Sequence, residues 1–319
     1  MDPRFKTNLL EHVKAIGAWA TRRAAESRID AVDCSLTLRL DGRTLRLQPQ
    51  FAGRRGGPNF VYFDVPDAHA MAFVGWLPYG PQAWDVSLSK RRFKTVAAEA
   101  GLPVPRGWSE PGLIDAPFLV KRERGAFGIG MHGPYPPERA ATLNLAEGEF
   151  AEAFVWGRIA RAWYWSGRLT VLEVFDMPGV AGDGCSTYEA LLRRQGAELP
   201  ADFASIAALQ GVAPGDVPAA GRRIVCDYRY VSPFNPTVYA NANRLPREAG
   251  SALVERFREA GRRFWPCVPG PAGYRAAFVL DAIVDADDRP CFLEVNSNPQ
   301  GHPDAYAQML DDLFGVEPR

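Results

Sequence analysis

The chain has 319 residues, 37 Lys+Arg against 37 Asp+Glu for a formal charge of zero, and 47% hydrophobic composition. That balance excludes a disordered polyelectrolyte and gives no general pull toward nucleic acid or an anionic membrane, while leaving enough apolar surface for two or three lobes around one site. The five cysteines, Cys34, Cys185, Cys226, Cys267 and Cys291, are scattered without a CxxC, which argues against a disulfide framework or zinc site and points to a reducing cytoplasm.

The opening MDPRFKTNLLEHVKAIG lacks a basic region ahead of an apolar core, and no later run approaches the length of a membrane span. Leu9, Leu10, Val13, Ile16, Trp19 and Ala20 recur at helical spacing and predict an amphipathic helix over 3–29. LTLRLDGRTLRLQPQF alternates around Asp41-Gly42, the strongest short hairpin signal in the chain. FAGRRGGPNF has no helix signature behind it and reads as a connector; NFVYFDV and AFVGWL read as strands. PYGPQAWD marks a lobe boundary near residue 86.

Ser87 or Ser89 can cap a helix that runs to Ala100 and stops at Gly101, Pro103 and Pro105. In PFLVKRERGAFGIGMHG, Lys121 ends an apolar strand and Gly125, Gly128 and Gly130 follow, a lysine and an open backbone that can meet the same polyphosphate. The loop is neither GxxxxGK[ST] nor GxGxxG. EGEFAEAFVWGRIARAWYWSGRLTVLEVF holds strands about Trp156-Gly157-Arg158 and a hairpin at Ser166-Gly167, with Glu152 and Arg161 in need of a role or a solvent face. Residues 177–218 are loop-rich, with a helix near Ser186–Gln195. GRRIVCDYRYVSPFN predicts a strand bearing Arg229; REAGSALVERFREAGRRFW and AYAQMLDDLF predict helices.

Near the C-terminus, FVLDAIVD and CFLEVN flank the turn ADDRP as an antiparallel hairpin. Strand alternation puts Glu294 and Asn296 on one face, and the turn can bring Asp281 beside them. Two carboxylates and an amide oxygen make a hard-ligand set that suits Mg²⁺ beside phosphates. His12, His69, His132 and His302 are scattered; only His302, beside NSNPQG, lies near a candidate site.

Taken in order, these motifs resemble the ATP-grasp superfamily of carboxylate–amine ligases from about Ser87 onward. The resemblance implies an α+β ATP-grasp fold with the nucleotide between two α+β lobes: a pre-ATP-grasp lobe over 1–86, a small lid lobe over 87–176 and a metal- and substrate-binding lobe over 177–319. It assigns ATP phosphate contacts to Lys94 in SKRRFKTVAAEAGLPVP, to Lys121, and to the loop of Gly125, Gly128 and Gly130; it assigns the adenine edge to Glu152, Phe154 and Val155 in AEAFVWG. It makes Asp281, Glu294 and Asn296 the ligands of Mg²⁺, two ions with Mn²⁺ as an alternative. PGVAGDGCSTYEALL and VPAAGRR narrow the likeness to the ATP-grasp domain of cyanophycin synthetases and glutathione-forming ligases. Two positions depart from the pattern: Ile159, where an acid often meets the ribose, and Val279, where an arginine often faces the acyl phosphate. Arg229, Arg275 or Arg161 would have to supply that charge.

The implied activity joins a small-molecule carboxylate, such as an amino acid or peptide, to an amine through an acyl phosphate, without nucleic acid or membrane partners and with a homodimer left open. Asn298, His302 and Arg244 are the expected substrate contacts, Arg244 because a guanidinium can clamp a carboxylate. A small-molecule kinase on the same scaffold and a non-catalytic nucleotide-binding protein are the alternatives.

Overall fold

The computed structural model describes residues 9–54, 61–125, 130–196, 198–199, 202–230, 232, 234, 243–271 and 273–317. Helix α1 (Leu9–Arg23) opens them and ends at Arg23, ahead of the predicted residue 29. Ala24 turns to a positive φ of 54°, and Glu26–Ile29 pairs as strand β1 with β2 (Leu36–Leu40). At the predicted hairpin, Asp41 and Gly42 take φ of 48° and 75°, as a two-residue loop between right-twisted strands requires, and β3 (Arg43–Gly53) returns along β2. Strands β4 (Val61–Phe63) and β5 (Ala70–Leu77) both pair with β3 and complete a five-stranded N-terminal sheet.

The short helix α2 (Asp85–Leu88) leads into α3 (Lys90–Glu99), whose N-terminus is capped by Ser89 Oγ accepting from Arg92 N at 3.1 Å. Strands β6 (Gly107–Trp108), β7 (Phe118–Arg122), β8 (His132–Tyr135) and β9 (Glu149–Ala153) form a four-stranded sheet in the order β6–β9–β7–β8. Strands β10 (Arg158–Trp165) and β11 (Arg168–Asp176) follow, then a small unit of β12 (Gly179–Ala181), α4 (Tyr188–Arg193), α5 (Phe203–Ala208) and β13 (Arg223–Val225) around its own apolar cluster. The strand predicted to bear Arg229 ends at Val225, so Arg229 lies beyond it. Helices α6 (Leu245–Glu248) and α7 (Ala252–Phe264), strands β14 (Ala277–Val284) and β15 (Pro290–Asn296) and helix α8 (Ala305–Phe314) complete the chain.

Strands β10 and β11 join β14 and β15 in one antiparallel sheet, ordered β11–β10–β14–β15. The boundary expected between 176 and 177 therefore cuts through a sheet: β10 and β11 belong with the β14–β15 hairpin, because β10 hydrogen-bonds to β14 along its whole length. One face of this sheet, with Ala162, Tyr164, Leu172, Leu280 and Phe292, is buried against α3 and α7. The other face looks into the cleft described below. All five cysteines are free, and among the described residues no helix is long and apolar enough to cross a membrane.

Helices α1 and α8 close the N-terminal sheet, tied by Trp19 Nε1 and Arg23 donating to Asp311 at 2.8 and 3.0 Å. His12 is buried here with Nδ1 2.8 Å from the Tyr306 hydroxyl, which itself accepts from Trp76 N and so has its own proton to give the imidazole. Burial chiefly, with His302 nearby, pushes the His12 pKa down from 6.5 to about 4, against a smaller opposing pull from Glu11. The unfolded chain therefore binds this proton more readily than the folded one between those values. Stability should fall as pH drops from 6.5 toward 4, by up to about 3 kcal/mol from this group. Thermal melts across that window should show a steep acid slope that His12→Gln flattens.

Candidate active site

The cleft floor follows from strand register. Across β11–β10–β14–β15 the pairings Glu173↔Arg161, Arg161↔Asp281 and Asp281↔Glu294 set four charged side chains in one row on one face. Asn296, two residues beyond Glu294, lies on the same face and donates Nδ2 to Asp281 Oδ2 at 2.9 Å. Arg161 Nε stands 3.1 Å from Asp281 Oδ1. Its guanidinium lies 4.5 Å from the Tyr230 ring and 5.5 Å from that of Trp163, and Tyr230 donates its hydroxyl to Glu173 at 2.9 Å. A buried arginine stacked and paired in this way is held in one orientation.

The roof is the β6–β9–β7–β8 sheet, where Lys121 and Glu152 share one face. Glu152 is 1% exposed and takes Lys121 Nζ at 2.5 Å on one oxygen and Lys94 Nζ at 2.7 Å on the other. Helix α3 supplies a second lysine one turn earlier: Lys90 Nζ reaches Glu294 Oε2 at 3.2 Å and the Gly125 carbonyl at 2.7 Å. The i, i+4 spacing of Lys90 and Lys94 thus sends one cation to the floor and one to the roof. Between the sheets runs an apolar slot of Leu119, Met131, Phe154, Ile159, Met177 and Tyr228, open toward the charged row.

Burial dominates the electrostatics. It pushes Asp281 up to about 6, with the charge of Glu294 adding to the shift and Arg161 opposing it. Glu294 is also penalised by burial, yet Lys90 and Lys121 hold it below the usual carboxylate range, so Glu294 keeps the negative charge and Asp281 is the acid that accepts a proton. Glu152 stays ionised because two ammonium groups outweigh its burial; Lys94 is lowered mainly by burial. Asp281 Oδ1 is buried and makes no hydrogen bond. Among the described residues no three His, Cys, Asp or Glu side chains converge on a metal, so an ion here would lean on two carboxylates, the Asn296 amide and ligand oxygens, which is how Mg²⁺ is commonly held beside phosphates.

Of the residues singled out in the sequence, Lys121, Gly125, Glu152, Phe154, Val155, Arg161, Arg229, Asp281, Glu294, Asn296 and Asn298 line this one cleft. Gly130 sits beside it at a φ of 73°, where an added Cβ would meet Arg122 Cδ at 3.0 Å; Gly128 lies outside the described residues. Arg275 is not at the site: it pairs with Asp312 at 3.3 Å on the surface over α8. Arg244 is also elsewhere, bound to Glu248 at 3.0 Å and to the Val174 carbonyl at 3.1 Å. Lys94 is committed to Glu152 and the Pro105 carbonyl, so the α3 lysine beside the acidic pair is Lys90.

Asn298 spends its side-chain amide on both backbone groups of Gln82, each at 2.6 Å, and holds the 80–84 segment. His302 is buried on the same side of the floor sheet as the charged row, 3.4 Å from Glu173 and 5.2 Å from the Trp163 ring, and does not line the cleft. Ile159 is buried in the apolar slot, and Val279 packs with Trp163 and Val171. Arg161, on the neighbouring strand, sets its guanidinium beside Asp281. Sequence reasoning missed Lys90, Glu173 and Tyr230; the i, i+4 lysine pair was the available signal for the first.

No family model matches the sequence, and no curated protein matches it significantly. Among solved structures, similar ones include a bifunctional glutathione synthetase from Pasteurella multocida (13% identity, 95% of this chain and 43% of that one, TM-score 0.43). Another is the D-alanine–D-alanine ligase from Bacillus anthracis complexed with ATP (15%, 73% and 62%, TM-score 0.36). A third is an ATP-grasp ligase, PsnB, complexed with a minimal precursor (12%, 72% and 60%, TM-score 0.35). The chain spans between 43% and 62% of the length of these proteins. Likeness at this distance carries none of the functional argument, which rests on the cleft.

Proposed function

We propose that the chain is an ATP-dependent carboxylate–amine ligase of the ATP-grasp type, forming an amide or peptide bond through an acyl phosphate and releasing ADP and phosphate. The observation that carries this reading is one cleft with two chemically distinct ends: an apolar slot of the kind that accepts a flat base, and a row of Arg161, Asp281 and Glu294 flanked by Lys90 and Lys121. Phosphoryl transfer asks a protein for positioned cations and metal ligands more than for a covalent nucleophile, and that is the inventory at the charged end.

The base would lie against Leu119, Phe154 and Met177, with Val155 at its edge; Lys121 and the Gly125 segment would face the phosphates. Mg²⁺ held by Asp281, Glu294 and Asn296 would offset phosphate charge. Arg161, fixed by Tyr230 and Asp281, draws the substrate carboxylate to the same end. There its oxygen takes the γ-phosphoryl group as the bond to ADP breaks. An amine then attacks the acyl carbon and expels phosphate.

The test is a matrix of carboxylates and amines with ATP and Mg²⁺, read as ADP release and product mass. ADP release that needs both partners is expected. A stable phosphorylated product formed without the amine would make the protein a kinase, and thermal stabilisation by ATP without turnover on any pair would make it a nucleotide-binding protein.

A further inference from the structure

The N-terminal sheet has two unlike faces. Register sets Phe63, Phe51 and Phe73 side by side on one, where Phe51 packs against the other two at ring distances of 6.1 and 5.6 Å. On the other, the same pairings set Tyr62, Ala52 and Ala72 side by side, and these three together with Val74 line the cleft. Ala52, Ala72 and Val74 are 3%, 6% and 3% exposed, so the wall they make is enclosed. It stands at the charged end: the Val74 carbonyl accepts from Gly301 N at 2.6 Å, and the preceding Gln300 carbonyl accepts from Trp163 Nε1 at 2.8 Å, on the face of β10 that carries Arg161.

We infer that this wall is the side-chain subsite of the carboxylate substrate and that it takes a short, uncharged aliphatic side chain. The inference rests on the ligase reading above. A carboxylate drawn to Arg161 turns its substituent toward the wall, where three short apolar side chains leave a shallow recess. None of the four wall residues carries a charge and only the Tyr62 hydroxyl can hydrogen-bond, so an acidic or basic substituent would lose its hydration there without gaining an ion-pair partner. Each methylene too many or too few in such a recess is worth roughly 10- to 200-fold in specificity.

The experiment is a panel of glycine, alanine, valine, leucine, glutamate and lysine as carboxylate donors, with a fixed amine, ATP and Mg²⁺. The short aliphatic members should exceed glutamate and lysine by at least about tenfold in kcat/KM. Ala72→Leu should raise KM for the best carboxylate by about tenfold or more while KM for ATP stays within about twofold, a split that general damage would not produce. Val74→Ala, which only enlarges the recess and serves if Ala72→Leu does not fold, should move the optimum to a larger side chain. Preference for glutamate or lysine, or an unchanged ranking in the variants that fold, overturns the subsite while leaving the ligase intact. Absence of ADP release with every carboxylate removes both.

Discussion

Glu294→Ala is expected to reduce carboxylate- and amine-dependent ADP release by at least about 10²- to 10³-fold while the protein stays folded. Glu294 is the acid of the pair that keeps its charge, and it is the point where helix α3 meets the floor through Lys90. Its side chain is still 32% exposed, so removing it opens no sealed cavity and strands no buried cation: Lys90 keeps the Gly125 carbonyl. Glu294→Gln, of the same shape without the charge, should fall nearly as far, because an amide cannot replace a carboxylate as a hard anionic ligand. Stopped assays for ADP, run beside circular dichroism melts of both variants, make the measurement. Normal turnover in folded Glu294→Ala would eliminate the metal-site reading.

Glu152→Ala should instead fail mainly in stability, by about 3–5 kcal/mol, since it leaves two ammonium groups facing each other in a buried site without their shared anion. The same principle supplies a control. Combining Glu152→Leu with Lys94→Met and Lys121→Met replaces the ionic cluster by apolar side chains and should recover much of the lost stability. It should not recover ATP-dependent thermal stabilisation, because Lys121 lines the cleft. Recovery of both would mean that the cluster is structural only.

The contrast between these two acids shows what could be read ahead of the structure. The Asp281, Glu294 and Asn296 constellation was legible because it depends on alternation along one strand and on a short turn, both local. The α3 helix was legible from its punctuation, although the choice between Lys90 and Lys94 was not: each lies on the same helical face, and only the positions of two separate sheets decide which acid each one reaches. Arg161 was among the candidates, but its pairing with Glu173 was out of reach for a different reason. Counting back from Ser166-Gly167 predicts Arg161 opposite Leu172, but the irregularity beside Trp163 shifts the register and brings Glu173 there instead. The assignment of Arg244 and Arg275 to the site failed because composition says nothing about which arginines find acids elsewhere.

A second irregularity does more. In the β14–β15 pairing Glu294 stands opposite Asp281 and Phe292 opposite Ala282, so Leu293 is the extra residue of a bulge. Strict alternation would put Phe292 and Glu294 on one face; the bulge sends Phe292 into the core and leaves Glu294 at the cleft. A strand misaligned by one residue during folding would carry Glu294 into that apolar core and expel Phe292, at a cost of several kcal/mol for the unpaired charge alone. The acid assigned to chemistry thereby acts earlier in the life of the molecule, as a proofreader that rejects the wrong alignment of its own sheet.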